Sequence, residues 1–421
     1  MRILWVKTEL LHPVDKGGKI RTYNMLKELR REHDITYLTL DDGSTDQEAR
    51  ERAMEYCQEL TCIPYRQQDK FSVGFYAELG LNLLSQLPYA IKKYQSNGMR
   101  DSITAHLSSN RFDVVVCDFL APAINVPKTL PCPSVLFQHN VEAMIWKQHY
   151  EVQQHPAKKA YLYRQWRKMQ RFEQKMCRRF DCVVTVSRED SEAIQKEYGV
   201  AQVFDVPTGV DTEFFKPTGE VQRDPCNLVF TGSMDWLPNE DAIHYFTERI
   251  MPQVKRAVPK LTLTVVGRNP FPGLVELSKR DPSIVVTGRV DDVRPYMERA
   301  TAYVVPLRIG GGTRLKIYEA MAMEKPIVST TIGAEGLPLR DGDHLLLADT
   351  AEAFAESIVR VLSDETLAKR LGQRAASEVR EKFGWPNVAR SFAAICENAA
   401  NQKSGLAGSG VSLKASTETA R

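Results

Sequence analysis

The stretch AYVVPLRIGGGTRLKIYEAMA, residues 302–322, joins a β-rich run to a helix-like run through three glycines. The first turn of the predicted helix carries Arg314 and Lys316, although the positive end of a helix dipole disfavours cations. Glycines let the backbone approach a ligand closely, and free N–H groups at a helix start bind anions. This strand–loop–helix unit therefore predicts an α/β fold with an anion site of the kind that a diphosphate would fill.

The same alternation of short apolar strands and longer helical patterns runs through the whole chain. The strand-like runs are RILWV, DITYLTL, FDVVVCD, PSVLFQH, DCVVTVS and QVFDVP in the first half, and NLVFTGS, LTLTVVG, SIVVTG, AYVVPL, PIVST and HLLLA in the second. Nearly continuous apolar strands separated by helices are typical of parallel sheets that are covered on both faces. The sequence therefore predicts two doubly wound, Rossmann-like domains facing a central cleft, with ligands outside the carboxyl ends of the strands.

The domain boundaries follow from changes in composition. Residues 206–225 are rich in Pro, Gly and Asp and have no sustained period, so they form the predicted seam. We assign residues 1–207 to an N-terminal domain and residues 222–383 to a C-terminal domain. Residues 384–400 form a final helical run, and the small, polar residues 401–421 are expected to be a disordered tail.

Composition and charge exclude several classes of protein. The 421 residues are 43% hydrophobic and carry a formal net charge of only +3, so a field that would hold nucleic acid is not indicated. The eight cysteines include no CxxC pair, which favours a reducing cytosol over a zinc site. The apolar segment at the N-terminus is too short for a signal peptide, and residues 71–91 are interrupted by polar residues and a proline. No membrane-spanning segment is expected.

Glu319 carries the functional question of the opening stretch. It lies on the apolar side of the predicted helix, one turn beyond Leu315, where a carboxylate needs hydrogen-bond donors such as sugar hydroxyls. The alternative is an ordinary surface salt bridge between Lys316 and Glu319, with the glycines serving only as a turn. Neither GxGxxG nor GxxxxGK[ST] occurs in the chain, so the glycine loop must serve a different kind of nucleotide site.

Three stretches together resemble the retaining, nucleotide-sugar-dependent glycosyltransferases of family four, which have the GT-B fold. They are KGGKIRTYNMLKEL (residues 16–29), PTGVDTEFFKP (207–217) and GGGTRLKIYEAMAMEKPIVSTTIGAEGL (310–337). The resemblance implies a hexosyltransferase that moves a sugar, with retention, from a nucleoside diphosphate sugar to an acceptor hydroxyl in cell-surface polysaccharide or glycolipid synthesis. It also implies an N-terminal acceptor domain, a C-terminal donor domain, and a final helix packing back on the N-terminal domain.

The resemblance also implies roles for particular residues. Gly17 and Gly18 would lie beside the donor phosphates and the acceptor, Glu319 would bind the ribose, and His139 would act near the reacting carbon as the catalytic candidate. Taken alone, a histidine at a strand end is more often a structural hydrogen-bonding residue. The other expected donor-binding residues are Gly232, Ser233, Arg268, Val290, Gly311, Gly312, Thr313, Arg314, Leu315 and Lys316.

The sequence departs from the family pattern at the donor site. Gly311 stands where many members have a second glutamate that touches the sugar, and Ser233 and Asn239 stand where an arginine and a lysine often hold the diphosphate. Arg314 and Lys316 can restore the lost charge. Because these cations and the N–H groups of the helix start would stabilise the departing phosphate, we expect no metal and no cofactor besides the nucleotide sugar.

Residues 158–180 contain nine Lys or Arg and a single acid, Glu173. Apolar side chains recur among them at helical spacing, so this helix could rest on anionic lipid. The alternative is a helix packed in the core with a solvated basic face. We expect a cytoplasmic protein, peripheral on the inner face of the cell membrane if this helix touches lipid, whose acceptor is a glycan or a lipid-linked glycan.

Two other functions are also compatible with the sequence. A nucleotide-sugar epimerase or hydrolase could use the same cleft and would turn over donor without an acceptor. A non-catalytic nucleotide-sugar-binding module is also compatible with Gly311 in place of an acidic sugar contact, and it would bind donor without transferring anything.

Overall fold

The computed structural model describes residues 1–14, 17–43, 47–69, 71–109, 111–309 and 315–403. The chain divides into two compact α/β units. Unit 1 contains residues 1–184 and 193–204 together with residues 391–403 of the described chain, and unit 2 contains residues 185–192 and 205–390.

Unit 1 is built on a sheet of seven strands. They are β1 (Arg2–Lys7), β2 (Asp34–Asp41), β3 (Glu59–Pro64), β4 (Val114–Asp118), β5 (Ser134–Phe137), β6 (Cys182–Thr185) and β7 (Val203–Asp205). The strand order is β3-β2-β1-β4-β5-β6-β7, with parallel pairing from β3 through β6. The helices are α1 (Gly17–Leu29), α2 (Gln47–Glu51), α3 (Val73–Asn82), α4 (Tyr89–Lys92), α5 (Asn97–Ser108), α6 (Glu142–Val152), α7 (Pro156–Arg179) and α8 (Arg188–Tyr198).

Unit 2 is built on a parallel sheet of six strands. They are β8 (Asn227–Thr231), β9 (Thr262–Val266), β10 (Ile284–Gly288), β11 (Ala302–Val305), β12 (Ile327–Ser329) and β13 (Leu346–Leu347), in the order β10-β9-β8-β11-β12-β13. Its helices are α9 (Leu237–Tyr245), α10 (Met251–Ala257), α11 (Pro272–Arg280), α12 (Arg294–Arg299), α13 (Leu315–Ala322), α14 (Ala351–Ser363) and α15 (Glu365–Glu378). A last helix, α16 (Trp385–Lys403), begins in the range of unit 2 and ends in that of unit 1.

The prediction of two doubly wound, parallel α/β units is confirmed. The central strands β4, β5, β8 and β11 are buried along their whole length, as expected for sheets with helices on both faces. Strand β3 is absent from the predicted strands, because its ELTCIP sequence is half-buried and lacks a continuous apolar run. Helix α16 continues through residues 401–403, which corrects the prediction of disorder there. The rest of the predicted tail lies outside the described residues.

Two aromatic contacts tie the last helix into unit 1. The ring of Phe392, in α16, lies 5.0 Å from that of Phe137 and 5.6 Å from that of Trp5, measured between centroids. Phe392 is fully buried. Such aromatic packing contributes substantially to a core, and it places residues from the far end of the chain among the first strands of unit 1.

The basic helix α7 packs its apolar side chains inward. Met169, Met176 and Phe180 are buried in the core of unit 1, and Leu162 and Trp166 are half-buried. This arrangement matches the alternative of a core-packed helix with a solvated basic face. The apolar stripe of α7 is therefore not available to enter a lipid layer.

Candidate active site

In unit 2, the loops that follow β8 and β9 lie against each other. Gly232 N donates a hydrogen bond to Val266 O at 3.0 Å. A Cβ atom at Gly267 would stand 1.7 Å from Gly232 O, so only glycine permits this approach. The contact brings Arg268 to the predicted donor residue Ser233, because Arg268 Nε donates to Ser233 Oγ at 2.8 Å.

Lys316 joins the same group of loops from the first turn of α13. Its Nζ donates to Asn239 Oδ1 at 2.8 Å and lies 4.3 Å from the centroid of the Phe230 ring. Asn239 Nδ2 in turn donates to Ser233 O at 2.8 Å. A Cβ atom at Gly232 would lie only 2.6 Å from Asn239 Nδ2, so glycine leaves the space that this network occupies. The structure therefore brings Gly232, Ser233 and Lys316 together.

Glu319 lies on the next turn of α13 and is half-buried. Burial raises the pKa of its carboxyl group to about 7, and the charge of Lys316 opposes the rise. Within the described part of the chain, no side chain or backbone N–H donates a hydrogen bond to this carboxylate, and it forms no ion pair with Lys316. The simple surface salt bridge of the alternative interpretation is thus not formed, and the described residues leave the acceptor capacity of Glu319 unfilled.

The remaining predicted donor-binding residues are Leu315, Val290 and the four residues 311–314. Leu315 is the first residue of α13. Val290, in the loop after β10, is half-buried and packs against the hydrophobic core of unit 2. Gly311, Gly312, Thr313 and Arg314 lie outside the described residues.

His139 in unit 1 lies beside a buried carboxylate. Its Nε2 is 2.7 Å from Asp118 Oδ1, and burial lowers the pKa of His139 to about 3 against the opposing attraction of Asp118. The imidazole is therefore neutral, and the carboxylate fixes the proton on Nε2. His139 Nδ1 is buried without a hydrogen-bond partner among the described residues. Buried polar atoms are normally hydrogen-bonded, so the acceptor capacity of His139 Nδ1 is unfilled among the described residues.

Asp118 is the centre of a polar cluster that sequence reasoning missed. Its Oδ2 accepts hydrogen bonds from Lys7 Nζ at 2.8 Å, Thr22 Oγ1 at 2.7 Å and Trp5 Nε1 at 3.1 Å. Burial alone would raise the pKa of Asp118, but the charge of Lys7 and the hydrogen bonds from Lys7 and His139 hold it well below its usual range. The available signal was a charged residue at the end of each of two apolar strands, β1 and β4, which pair in parallel.

Phe119 connects this cluster to the predicted glycine loop. Its ring stacks on His139 with centroids 3.8 Å apart, and Lys7 Nζ lies 4.2 Å from the centroid of the same Phe119 ring. Phe119 has a left-handed backbone, with φ of 73°, which is strained for a non-glycine residue. A Cβ atom at Gly18 would stand 2.7 Å from Phe119 Cζ, so Gly18, Phe119 and His139 form one packed stack. Gly17 is more open, because a Cβ atom there would meet no atom of the described residues within 4 Å.

Glu173, the single acid of the basic segment, fixes the helix that follows His139. Its carboxylate accepts from the backbone N–H groups of Glu142 and Ala143, at 2.8 and 3.0 Å, and from Tyr198 Oη at 2.8 Å. These donors include the first N–H groups of α6, which lack partners inside the helix. Burial raises the pKa of Glu173 to about 7, although these hydrogen bonds oppose the rise. Glu173 is thus a structural support close to His139.

Both units match models of known protein families. The family described as "Glycosyltransferase Family 4" matches residues 16–214, and the family described as "Glycosyl transferases group 1" matches residues 225–364. The chain belongs to the glycosyltransferase superfamily. Together the two matches cover both glycine loops, His139 and Glu319.

Individual relatives of this glycosyltransferase are distant. An uncharacterized 44.6 kDa protein in the cps region of Klebsiella pneumoniae is 21% identical over 93% of this chain and 98% of its own length. A phosphatidyl-myo-inositol mannosyltransferase of Mycobacterium leprae is 30% identical, but the match covers only 37% of this chain and 42% of that protein.

Solved structures confirm the GT-B architecture of the glycosyltransferase. A sucrose-phosphate synthase from Thermosynechococcus elongatus aligns with a TM-score of 0.64 at 16% identity, covering 94% of this chain and 98% of the other. Anabaena HepE in complex with UDP aligns with a TM-score of 0.65 at 13% identity, covering 94% and 100%. At such low identity, the likeness concerns the fold alone.

Proposed function

We propose that this glycosyltransferase moves a hexosyl group from a nucleoside diphosphate sugar to an acceptor hydroxyl, with retention, in the synthesis of a cell-surface polysaccharide or glycolipid. The observation that carries the proposal is the unfilled Glu319 carboxylate one turn from Lys316, whose ammonium is held beside Ser233. The location of one relative in a cps region and the mannosyltransferase name of another support the biosynthetic setting. Retention is proposed from the resemblance to family four.

In the proposed donor complex, the first turn of α13 supplies positive charge and the next turn supplies a hydrogen-bond acceptor. Lys316, together with Arg314 in the preceding sequence, would hold the diphosphate and stabilise the negative charge that grows on it as the anomeric bond breaks. The ribose hydroxyls would donate to Glu319. HepE, which shares the fold, has been solved with UDP. We propose that these protein cations serve without a metal ion or further cofactor.

In unit 1 we propose that His139 binds the transferred sugar through its unpaired Nδ1. A neutral imidazole whose Nε2 proton is fixed by Asp118 can accept a hydrogen bond at Nδ1 from a sugar hydroxyl. The Phe119 ring stacks on one face of the His139 imidazole, and Asp118 holds its Nε2 atom. These two contacts fix the orientation of the His139 ring. We further propose that the acceptor is a glycan or lipid-linked glycan reached at the inner face of the cell membrane.

The test is a panel of UDP-, GDP- and ADP-sugars, with nucleoside diphosphate release measured in the presence and absence of acceptor-containing lipid extract. Transfer requires release that depends on acceptor. Release without acceptor would indicate a hydrolase, interconversion of the sugar an epimerase, and binding without turnover a non-catalytic module. Addition of EDTA should leave the rate unchanged.

The same assay tests the assigned cation. Replacing Lys316 by Ala should weaken nucleoside diphosphate binding by roughly ten-fold, because a charge-assisted contact is lost. Lys260→Ala, which removes an exposed cation of the same unit, is the matched control and should leave binding unchanged. Equal affinities for the two variants in calorimetry would remove Lys316 from the donor site.

A further inference from the structure

The exposed face of α3 and its flanks is almost entirely apolar. Val73, Leu81 and Leu84 are 87%, 70% and 86% exposed, and Phe71 and Tyr76 are also exposed. Positions 73, 76, 77, 80, 81 and 84 follow the spacing of one helix face, and all of them are occupied by apolar residues, glycine or tyrosine. A contiguous exposed apolar surface is unusual for a surface helix and marks an interaction site.

Helix α3 is held firmly to unit 1 with this apolar face outward. Its Glu78 accepts a hydrogen bond from Tyr89 Oη at 3.0 Å. At its end, Asn82 is buried, with its side-chain oxygen accepting from Gln165 Nε2 at 3.0 Å and its backbone oxygen accepting from Lys168 Nζ at 2.6 Å. The polar residues Glu78 and Asn82 of α3 therefore face the rest of unit 1 and form hydrogen bonds with it. The outward apolar face is a property of the folded unit.

A row of exposed cations runs along α7, and its first member lies at the end of α3. Arg164 Nη2 donates to Leu83 O at 2.6 Å, which joins α7 to the end of α3. From Arg164 onward, exposed cations recur every three or four residues, the spacing of a single helix face. They are Arg164, Arg167, Arg171, Lys175 and Arg178.

We propose that the α3 face, defined as Phe71, Val73, Tyr76, Leu81 and Leu84, inserts into an anionic lipid bilayer while the exposed cations of α7 contact its headgroups. Apolar side chains bordered by cations are the combination that binds such an interface. A second copy of this chain is a poorer partner, because a symmetric contact through α3 would bring two rows of like charges towards each other. Within the described residues, no helix has the length and apolar character needed to cross a membrane.

This inference changes which element enters the lipid, since the apolar stripe of α7 is in the core. It extends the peripheral location proposed above and does not depend on the transfer chemistry. Binding to vesicles is measured without donor or acceptor, so its failure would leave the proposed reaction untouched.

The first experiment measures cosedimentation of the full chain with phosphatidylcholine vesicles, with and without phosphatidylglycerol. The double variant Leu81→Ser/Leu84→Ser should bind anionic vesicles more than about ten-fold more weakly, because two exposed leucines no longer enter the lipid. Val285→Ser, which removes an exposed apolar residue of unit 2, is the control and should bind as the unaltered chain does. Unchanged melting temperatures would show that all variants are folded.

The second experiment removes charge from α7. Arg171→Ala/Lys175→Ala should weaken binding to anionic vesicles by roughly thirty-fold and leave weak binding to neutral vesicles unchanged. Arg256→Ala/Lys260→Ala removes two exposed cations of unit 2 and should have no effect. Equal binding of the unaltered chain and both α3 and α7 variants would overturn the proposal. A concentration-dependent dimer abolished by Leu81→Ser/Leu84→Ser, with no vesicle binding, would instead assign the face to a second copy.

Discussion

At the scale of single residues, the buried Asp118 is the group on which the polar cluster of unit 1 depends. Asp118→Asn keeps the shape of the side chain but leaves Lys7 without a compensating charge in the interior. Loss of one partner of a buried ion pair costs about 3–5 kcal/mol. We expect the free energy of unfolding, measured with urea, to fall by that amount.

The neighbouring Asp113 offers the matched control. It forms an ion pair with Arg2 at 3.4 Å, and both side chains are well exposed to solvent. Asp113→Asn should therefore change the free energy of unfolding by less than about 1 kcal/mol. Similar losses for the two variants would mean that Asp118 contributes no more than a surface acid.

The raised pKa of Glu319 predicts that nucleotide binding depends on pH. Its pKa is raised from the ordinary 4.5 to about 7, so the folded protein binds the extra proton between these values and loses stability as pH rises through that window. Ribose hydroxyls donate to the ionised form. Affinity for a nucleoside diphosphate should therefore fall as pH decreases below about 7, where the carboxylate is protonated.

The variant Glu319→Gln separates this carboxylate from titration of the nucleotide phosphate itself. It should bind nucleotide weakly and should retain only the pH dependence that belongs to the phosphate. Calorimetry across the pH range measures both proteins with the same ligand. Identical profiles and full transfer by the Gln variant would show that Glu319 does not hold the ribose.

At the scale of elements, the start of α1 provides a comparison of adjacent glycines. Gly18→Ala would place a methyl group 2.7 Å from Phe119 Cζ, and Phe119 has little freedom to move because His139 and Lys7 lie against its ring. We expect a lower melting temperature and reduced transfer. Gly17→Ala places a methyl group that meets no atom of the described residues within 4 Å, and it should be neutral or slightly stabilising because alanine favours helix. Equal behaviour of both variants would argue against a packed stack.

Elements also show which features a sequence can reveal. Continuous apolar runs predict the central strands, because burial on both faces leaves a strong signal. The edge strand β3 lacks a continuous apolar run, so its sequence gives no such signal. Whether the apolar face of a helix points to the core or to solvent is harder to predict from sequence. Helices α7 and α3 both contain apolar residues at helical spacing, yet those of α7 face inward and those of α3 face outward. That difference depends on tertiary contacts such as those of Asn82 with Gln165 and Lys168, which no local pattern specifies.

The site is predictable to the extent that it is local. Lys316 and Glu319 lie one turn apart on α13, so their proximity follows from helix spacing alone. The pairing of His139 with Asp118 requires two strands, β4 and β5, to end side by side, and the sequence offers no measure of that distance. The contact of Lys316 with Asn239 likewise joins residues 77 positions apart.

At the scale of the whole molecule, unit 1 is completed by residues from the end of the chain. Residues 391–403 belong to this unit, and Phe392 among them packs between residues of β1 and β5. Unit 2 has its own core, formed by residues from Val210 to Phe383. Removal of the terminal segment should therefore affect the two units differently.

A chain that ends at Arg390 tests this division. Loss of Phe392 alone leaves a cavity beside Trp5 and Phe137 and should destabilise unit 1 by about 3–5 kcal/mol. In calorimetry, we expect unit 1 to unfold at a lower temperature and transfer activity to be lost, because unit 1 carries His139. Nucleoside diphosphate should still bind and stabilise unit 2, since Lys316 and Glu319 are retained in an intact core. A chain ending at Lys403 is the control and should behave as the full protein. Full transfer activity in the chain that ends at Arg390 would contradict the assignment of the last helix to unit 1. Loss of nucleotide binding by that chain would contradict it as well.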